Sequence, residues 1–333
     1  MQNPGFTNST ISSEMSYEGV KCNLCNGSDE ELLFNIPDFM LEREDVITTL
    51  VRCRRCGLVY QNPRPTIKQM AMHYPQEYDP FIAQSSVKRS SWLATQAIEY
   101  GLNKRCRFVT RYKRGGRILD LGCATGNFLD AMSKRPGWEL YGVEINSEAA
   151  QVARQQYHLN VFIGTLEQAR FSNEYFDAIT LWEVLEHLHD AAATLREIQR
   201  ILKPDGLLVI RLPNLASWDA GLFGKYWAGY DAPRHLYVFN PNTIKKILDQ
   251  AGLHIEAMSC RSGGYASFVI SVNFWISGKK LNSKIRQKIQ SILRSPVTNL
   301  VTAPFFFISN LLLRGSTLTI IARRLNNDQQ EEN

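Results

Sequence analysis

The stretch from 117 to 126, Arg-Ile-Leu-Asp-Leu-Gly-Cys-Ala-Thr-Gly, restricts the fold more than any other part of the chain. Ile118, Leu119 and Leu121 make a short apolar run suited to a buried strand. Asp120 stands near its end, and Gly122 and Gly126 bracket a tight turn. Phe128, Leu129 and Met132 then recur at helical spacing, which predicts a helix starting around Thr125. A strand, a glycine-bearing turn and a helix N-terminus in succession let backbone approach a ligand closely. Taken alone, the pattern also fits a plain strand-to-helix turn.

The following residues narrow the choice. Trp138 to Val143 is predicted as a second strand ending in Glu144, 24 residues after Asp120. An acid at that distance can accept the ribose hydroxyls of an adenosine. The spacing also suits a dinucleotide, so charge decides. A pyrophosphate prefers a helix N-terminus free of carboxylates, and Asp120 would repel one. A carboxylate there suits a cationic ligand bearing a sulfonium and an amino group. The stretch resembles motif I of the class I S-adenosylmethionine (SAM) methyltransferases, with Ala124 at the pattern's middle glycine. The resemblance extends over about 86–325. It implies a Rossmann-like α/β fold with a seven-stranded sheet whose last strand is antiparallel. It assigns SAM to Asp120, Gly122, Cys123, Gly126 and Glu144.

Composition agrees with a globular chain. Of 333 residues, 44% are hydrophobic and 21% charged, enough for one large domain and a small one. The first fifteen residues carry no Lys or Arg, so no signal peptide is expected, and no apolar stretch is long enough for a transmembrane helix. A cytoplasmic protein is expected.

Residues 1–17 read as a tail and 18–63 as a small module. Cys22-Asn-Leu-Cys25 and Cys53-Arg-Arg-Cys56-Gly57, with 27 residues between the pairs, offer four thiolates for tetrahedral Zn²⁺. The apolar residues between them are too few for an independent core, so metal would supply stability. The module resembles the zinc ribbons preceding certain sugar methyltransferases. Asn62-Pro63-Arg64-Pro65 and Tyr74-Pro75 punctuate a linker over 64–85, in which Tyr74, Tyr78 and Phe81 are expected to pack. A helix from about Ser86 to Tyr112 follows.

Later elements are predicted as helix 147–157, strand 161–163, strand 176–182, helix 191–202, strand 207–212, helix 241–251, strand 253–260 and strand 317–322. In the family the turn at Thr165 and Leu166 lies beside the adenine, and Trp182 is read as a wall of the SAM pocket. After strand 176–182 comes Glu183-Val-Leu-Glu186-His187. The Asn/Asp-Pro-Pro-Tyr/Phe motif of base N-methylases is absent there, which argues against base N-methylation. The spacing instead resembles ubiquinone-biosynthesis O-methyltransferases, where such residues can hold a divalent cation such as Mg²⁺. Segment 214–240 is rich in aromatic residues and carries Asp231-Ala-Pro-Arg234-His235. It is read as a substrate lid, with Arg234 for a phosphate or carboxylate. His235, and after it His187, is the candidate base.

Residues 262–314 form a 53-residue insert before the last strand, with seven Lys or Arg and no acid, while the whole chain is at +6. Leu281, Ile285, Ile289, Ile292 and Leu293 form one apolar helical stripe. Two readings stand: 279–313 contacts a membrane surface, peripherally at its inner face, or it is a lid or dimer contact. A tail is expected over 326–333. The sequence thus predicts a SAM-dependent methyltransferase acting on a hydroxyl of a sugar, lipid-linked glycan or other small molecule, the alternatives being an RNA methyltransferase that binds through the zinc module and a non-catalytic SAM-binding protein.

Overall fold

The computed structural model describes residues 16–74, 92–260, 264–293 and 295–324. Most of the tail expected over 1–17, the tail over 326–333, Tyr78, Phe81 and the start of the helix expected at Ser86 lie outside the described residues.

The N-terminal strands are β1 (Tyr17–Glu18), β2 (Glu30–Asp38), β3 (Arg43–Cys53), β4 (Val59–Gln61) and β5 (Arg64–Pro65), followed by a single turn of helix, α1 (Ile67–Met70). β2 and β3 form an antiparallel hairpin, and β4 adds to β3. The edge that β4 would otherwise expose is closed by Tyr237–Val238, far along the chain. Gln61 reinforces the junction, its Nε2 donating to the carbonyls of Pro233 (2.9 Å) and His235 (2.7 Å). Asn23 reaches the helix starting at Ala191: its Nδ2 donates to Asp190 (2.9 Å) and its Oδ1 accepts from the Ala192 N–H (2.9 Å). The boundary expected near 63 is therefore bridged by the pairing of β4 with Tyr237–Val238. A module too small for its own core shares a sheet with the larger domain.

That domain begins with α2 (Trp92–Thr110), then β6 (Gly116–Leu121), α3 (Asn127–Ser133), β7 (Trp138–Glu144), α4 (Ser147–Tyr157), β8 (Asn160–Ile163), α5 (Leu166–Ala169) and β9 (Phe176–Trp182). It continues through α6 (Ala191–Ile201), β10 (Leu202–Pro213), α7 (Trp218–Phe223), β11 (Tyr237–Val238), α8 (Pro241–Gln250) and β12 (Leu253–Ser259). After the insert the last strand is β13 (Thr317–Arg324). The seven strands run β12-β13-β10-β9-β6-β7-β8, with β13 antiparallel to both neighbours. Ile118, Leu119, Ile179 and Leu181 are fully buried because central parallel strands are covered on both faces. Side-chain caps fix the helix starts: Asn146 for α4, Asp190 for α6 and Asn240 for α8. The fifth strand begins earlier than expected, at Leu202, which pairs with Phe176 before a register shift reaches Leu207.

The insert forms α9 (Gly264–Gly278), α10 (Ser283–Leu293) and α11 (Pro296–Leu311). β12 ends at the Ser259–Thr319 pair, and Thr317 pairs with Pro213 at the end of β10. The insert therefore leaves and rejoins the sheet at its carboxyl edge. Phe274 of α9 stacks on Phe39 (5.6 Å), and Tyr230 meets Phe34 (5.7 Å). Trp227, Tyr230, Tyr237 and Phe239 are buried. Most rings of the aromatic segment thus join module, catalytic domain and insert instead of lining a substrate lid.

Candidate functional site

At the carboxyl end of β6, Asp120 is buried and accepts a hydrogen bond from Thr180 Oγ1 (2.6 Å). Burial pushes its carboxyl up to about 7. Gly122 (φ +70°) and Gly126 (φ +83°) carry the loop over to α3. A Cβ on Gly122 would lie 2.6 Å from Val184, and one on Gly126 would lie 2.5 Å from Leu159, so only glycine fits either place. Ala124 takes φ +46°, in the left-handed region, which explains why the pattern prefers glycine there. Glu144 at the tip of β7 accepts from the N–H of Ala124 (2.8 Å) and of Asn146 (2.8 Å), pinning the loop to the second strand. Burial raises its carboxyl, offset in part by these N–H groups.

Trp182 ends β9, edge-on to Phe128 (5.2 Å), and its indole N–H is buried without a partner among the described residues. The guanidinium of Arg105, from α2, lies 5.4 Å from the Trp182 ring centre. Among the described residues Arg105 forms no ion pair; burial lowers its pKa, and it senses Glu183 and Asp120. Thr165 caps α5, and the Gln168 side chain accepts from the Thr165 N–H (2.9 Å). That N–H is committed locally. Leu166 is buried in the core.

Beyond β9 the chain turns sharply at Glu183 (φ +63°). Glu183 pairs with Arg211 (3.2 Å); burial alone would raise it, but Arg211 and Arg105 hold it below the usual carboxylate range. Both oxygens of Glu186 are buried without a hydrogen-bond partner among the described residues. Burial holds this carboxyl well above its ordinary pKa. The Nδ1 of His187 lies 3.0 Å from the Arg234 carbonyl and 2.8 Å from Tyr74 Oη. The Nδ1 of His235 lies 2.9 Å from the Gly229 carbonyl. A carbonyl only accepts, so both rings carry their proton on Nδ1 and keep the Nε2 lone pair. The rings meet edge-to-face at 4.6 Å. Burial pushes His187 down to about 3, so it is neutral near pH 7.

The Methyltransferase domain family matches residues 95–257, which span α2 through most of β12. The ubiquinone biosynthesis O-methyltransferase of Actinobacillus pleuropneumoniae (strain L20) is 26% identical over 179 residues, 49% of this chain and 74% of that protein. Residues 95–257 form a SAM-dependent methyltransferase domain. The demethylmenaquinone methyltransferase of Chlorobaculum parvum is 27% identical over 169 residues, 45% of this methyltransferase and 70% of the relative. Among solved structures, the [4+2]-cyclase SpnF covers 79% of this chain and 97% of its own at TM-score 0.50 and 17% identity, a likeness of fold alone.

Two metal sites were expected of this methyltransferase. The four cysteines Cys22, Cys25, Cys53 and Cys56 converge, with Sγ–Sγ separations of 3.4 Å for Cys22–Cys56 and for Cys25–Cys53. Two matched turns aim them inward, each closed by an N–H to the first cysteine's carbonyl: Asn26 to Cys22 (2.8 Å) and Gly57 to Cys53 (2.9 Å). Four sulfurs at such spacing fit a tetrahedral Zn²⁺. The Mg²⁺ reading fits poorly. Glu183 turns away to Arg211, leaving Glu186, His187 and His235 within 4.8 Å of one another. Two imidazoles and one carboxylate do not make the oxygen shell that Mg²⁺ demands. Nor is Arg234 open to a substrate anion. It is fully buried and spans Asp38 (2.7 Å) and Asp231 (2.7 Å). No motif or spacing singles out Arg105, one cation among several on a charged helix. Tyr74 was read as packing, yet it contacts His187.

Proposed function

We propose that this methyltransferase transfers the methyl group of SAM to a hydroxyl of a small molecule, a phenol or a sugar. One observation carries the reading: the Gly229 carbonyl fixes the proton of His235 on Nδ1, so its Nε2 is a ready base at the carboxyl edge of the sheet.

SAM supplies the methyl group as a sulfonium. The buried Asp120 carboxylate complements the cation, and Glu144 holds the Gly122–Gly126 loop, with Cys123 in it, against β7 while offering its remaining lone pairs to the ribose. Trp182 and Leu166 flank this space. Arg105, a partly buried guanidinium with no carboxylate partner among the described residues, suits the ligand's amino-acid carboxylate. The acceptor hydroxyl passes its proton to His235 Nε2 as its oxygen takes the methyl carbon. His187, held neutral and touched by Tyr74, orients that base. The name of the ubiquinone biosynthesis O-methyltransferase supports transfer to an oxygen of a small molecule over nucleic acid. Zn²⁺ in the cysteine site is structural, and four thiolates gathered for a metal suit a reducing, cytoplasmic compartment.

Incubation with tritiated SAM and fractionated cell extract tests this. Label should enter a low-molecular-weight fraction as an O-methyl ether identified by mass spectrometry. Label in RNA, or SAM binding without transfer to any fraction, would overturn the proposal.

A further inference from the structure

The insert leaves an apolar face uncovered. On α11, Leu300, Val301 and Phe307 are 76%, 72% and 64% exposed. The stripe of α10 is only partly used: Leu293 is buried, but Ile285 and Ile292 remain exposed. Exposed apolar area of this extent on neighbouring helices marks an interaction surface. Lys284 and Lys288 flank Ile285 and are exposed, as is Arg314 just beyond α11. No Asp or Glu occurs between 262 and 314. Glu42 and Glu44 beside the insert already pair with Arg286 (2.9 Å) and Lys280 (3.1 Å).

We propose that α10 and α11 together dock the enzyme on the surface of an anionic lipid bilayer. Charge selects this occupant over a second copy of the chain. A two-fold contact would set the insert against itself, cation facing cation with no acid to answer. An anionic headgroup layer meets the same lysines favourably while the apolar residues enter the acyl boundary. No helix among the described residues is long and apolar enough to cross a membrane. The helices therefore lie in the interface plane. Because the insert joins the sheet at its carboxyl edge, docking turns that edge toward the lipid. The inference holds whatever the methyl acceptor is.

Flotation of the full-length protein on sucrose gradients tests it, with vesicles of phosphatidylcholine alone or doped with phosphatidylglycerol. Wild type should float with the doped vesicles and less so at high salt. Leu300→Glu with Phe307→Glu should remove flotation. Lys284→Glu with Lys288→Glu should weaken it by about tenfold or more. Both variants should keep the wild-type melting temperature and affinity for SAM. Failure of wild type to float, or equal flotation of all three proteins, would overturn the proposal. So would a wild-type dimer on size exclusion that the apolar-face variant renders monomeric, since the face would then be covered by a second copy.

Discussion

Arg234, just before β11, lays its guanidinium against Asp38 at the end of β2, with Nη2 to Oδ1 at 2.7 Å and Nη1 to Oδ2 at 3.1 Å, and neither side chain meets solvent. The pair locks the cysteine module onto the loop that carries His235. Burial alone would raise Asp38, but Arg234 and Arg43 hold it below the ordinary carboxylate range. A depressed carboxylate contributes stability that is present above its unfolded pKa of about 3.9 and is lost as pH falls through the lower folded value. Asp38→Asn should therefore cost about 3–5 kcal/mol near pH 7 in denaturant titrations. The deficit should shrink toward the acid end. Arg234→Lys should not restore the wild-type midpoint, because a point charge cannot span two carboxylates.

The purified chain should hold roughly one zinc, lost on Cys53→Ser, by elemental analysis. Strong chelation should lower the melting temperature of the whole molecule and not only of the module, since β4 and β11 share one sheet.

Asp120 sets a pH dependence for cofactor binding. Its carboxyl sits at about 7, and a cationic ligand needs the ionised form. Affinity for SAM should rise as pH climbs through 7 and level off above it. Asp120→Asn should bind roughly 10–100-fold more weakly at high pH, with a flat pH profile. Calorimetry reads both effects.

Arg105→Met should weaken SAM binding about tenfold or more through loss of a charge-assisted contact. Decarboxylated SAM should bind the variant and the wild type alike. Equal losses for both ligands would place Arg105 in packing against Trp182 instead.

His235→Ala should lower kcat by roughly 10²–10⁴-fold while leaving the dissociation constant for SAM unchanged. His187 stays neutral down to about pH 3, so a rate inflection near neutrality cannot arise from it. Tyr74→Phe should lower kcat less than His235→Ala and leave the melting temperature near wild type.

Local chemistry made much of the fold readable. α4 and β9 fall at the expected 147–157 and 176–182 because Asn146 caps the one and an unbroken apolar run defines the other. The loop after β6 was legible because two positive-φ glycines and a terminal acid have few other uses. What escaped depends on residues distant in sequence. Arg234 reads as an anion site until Asp38 is found beside it, and the boundary near 63 looked sound until β11 supplied the missing edge. The rings of 214–240 pointed to a lid because burial is not written in composition. The roles of Arg105 and Tyr74 rest on neighbours that no spacing rule links to them.

The two strands flanking the insert are zipped to each other up to Ser259 and Thr319. Everything between them is therefore a cassette whose ends the sheet itself holds in register. A protease nick between α9 and α10 should leave both fragments travelling together as one particle. The excursion can therefore be lengthened or shortened without disturbing the strands that position the chemistry.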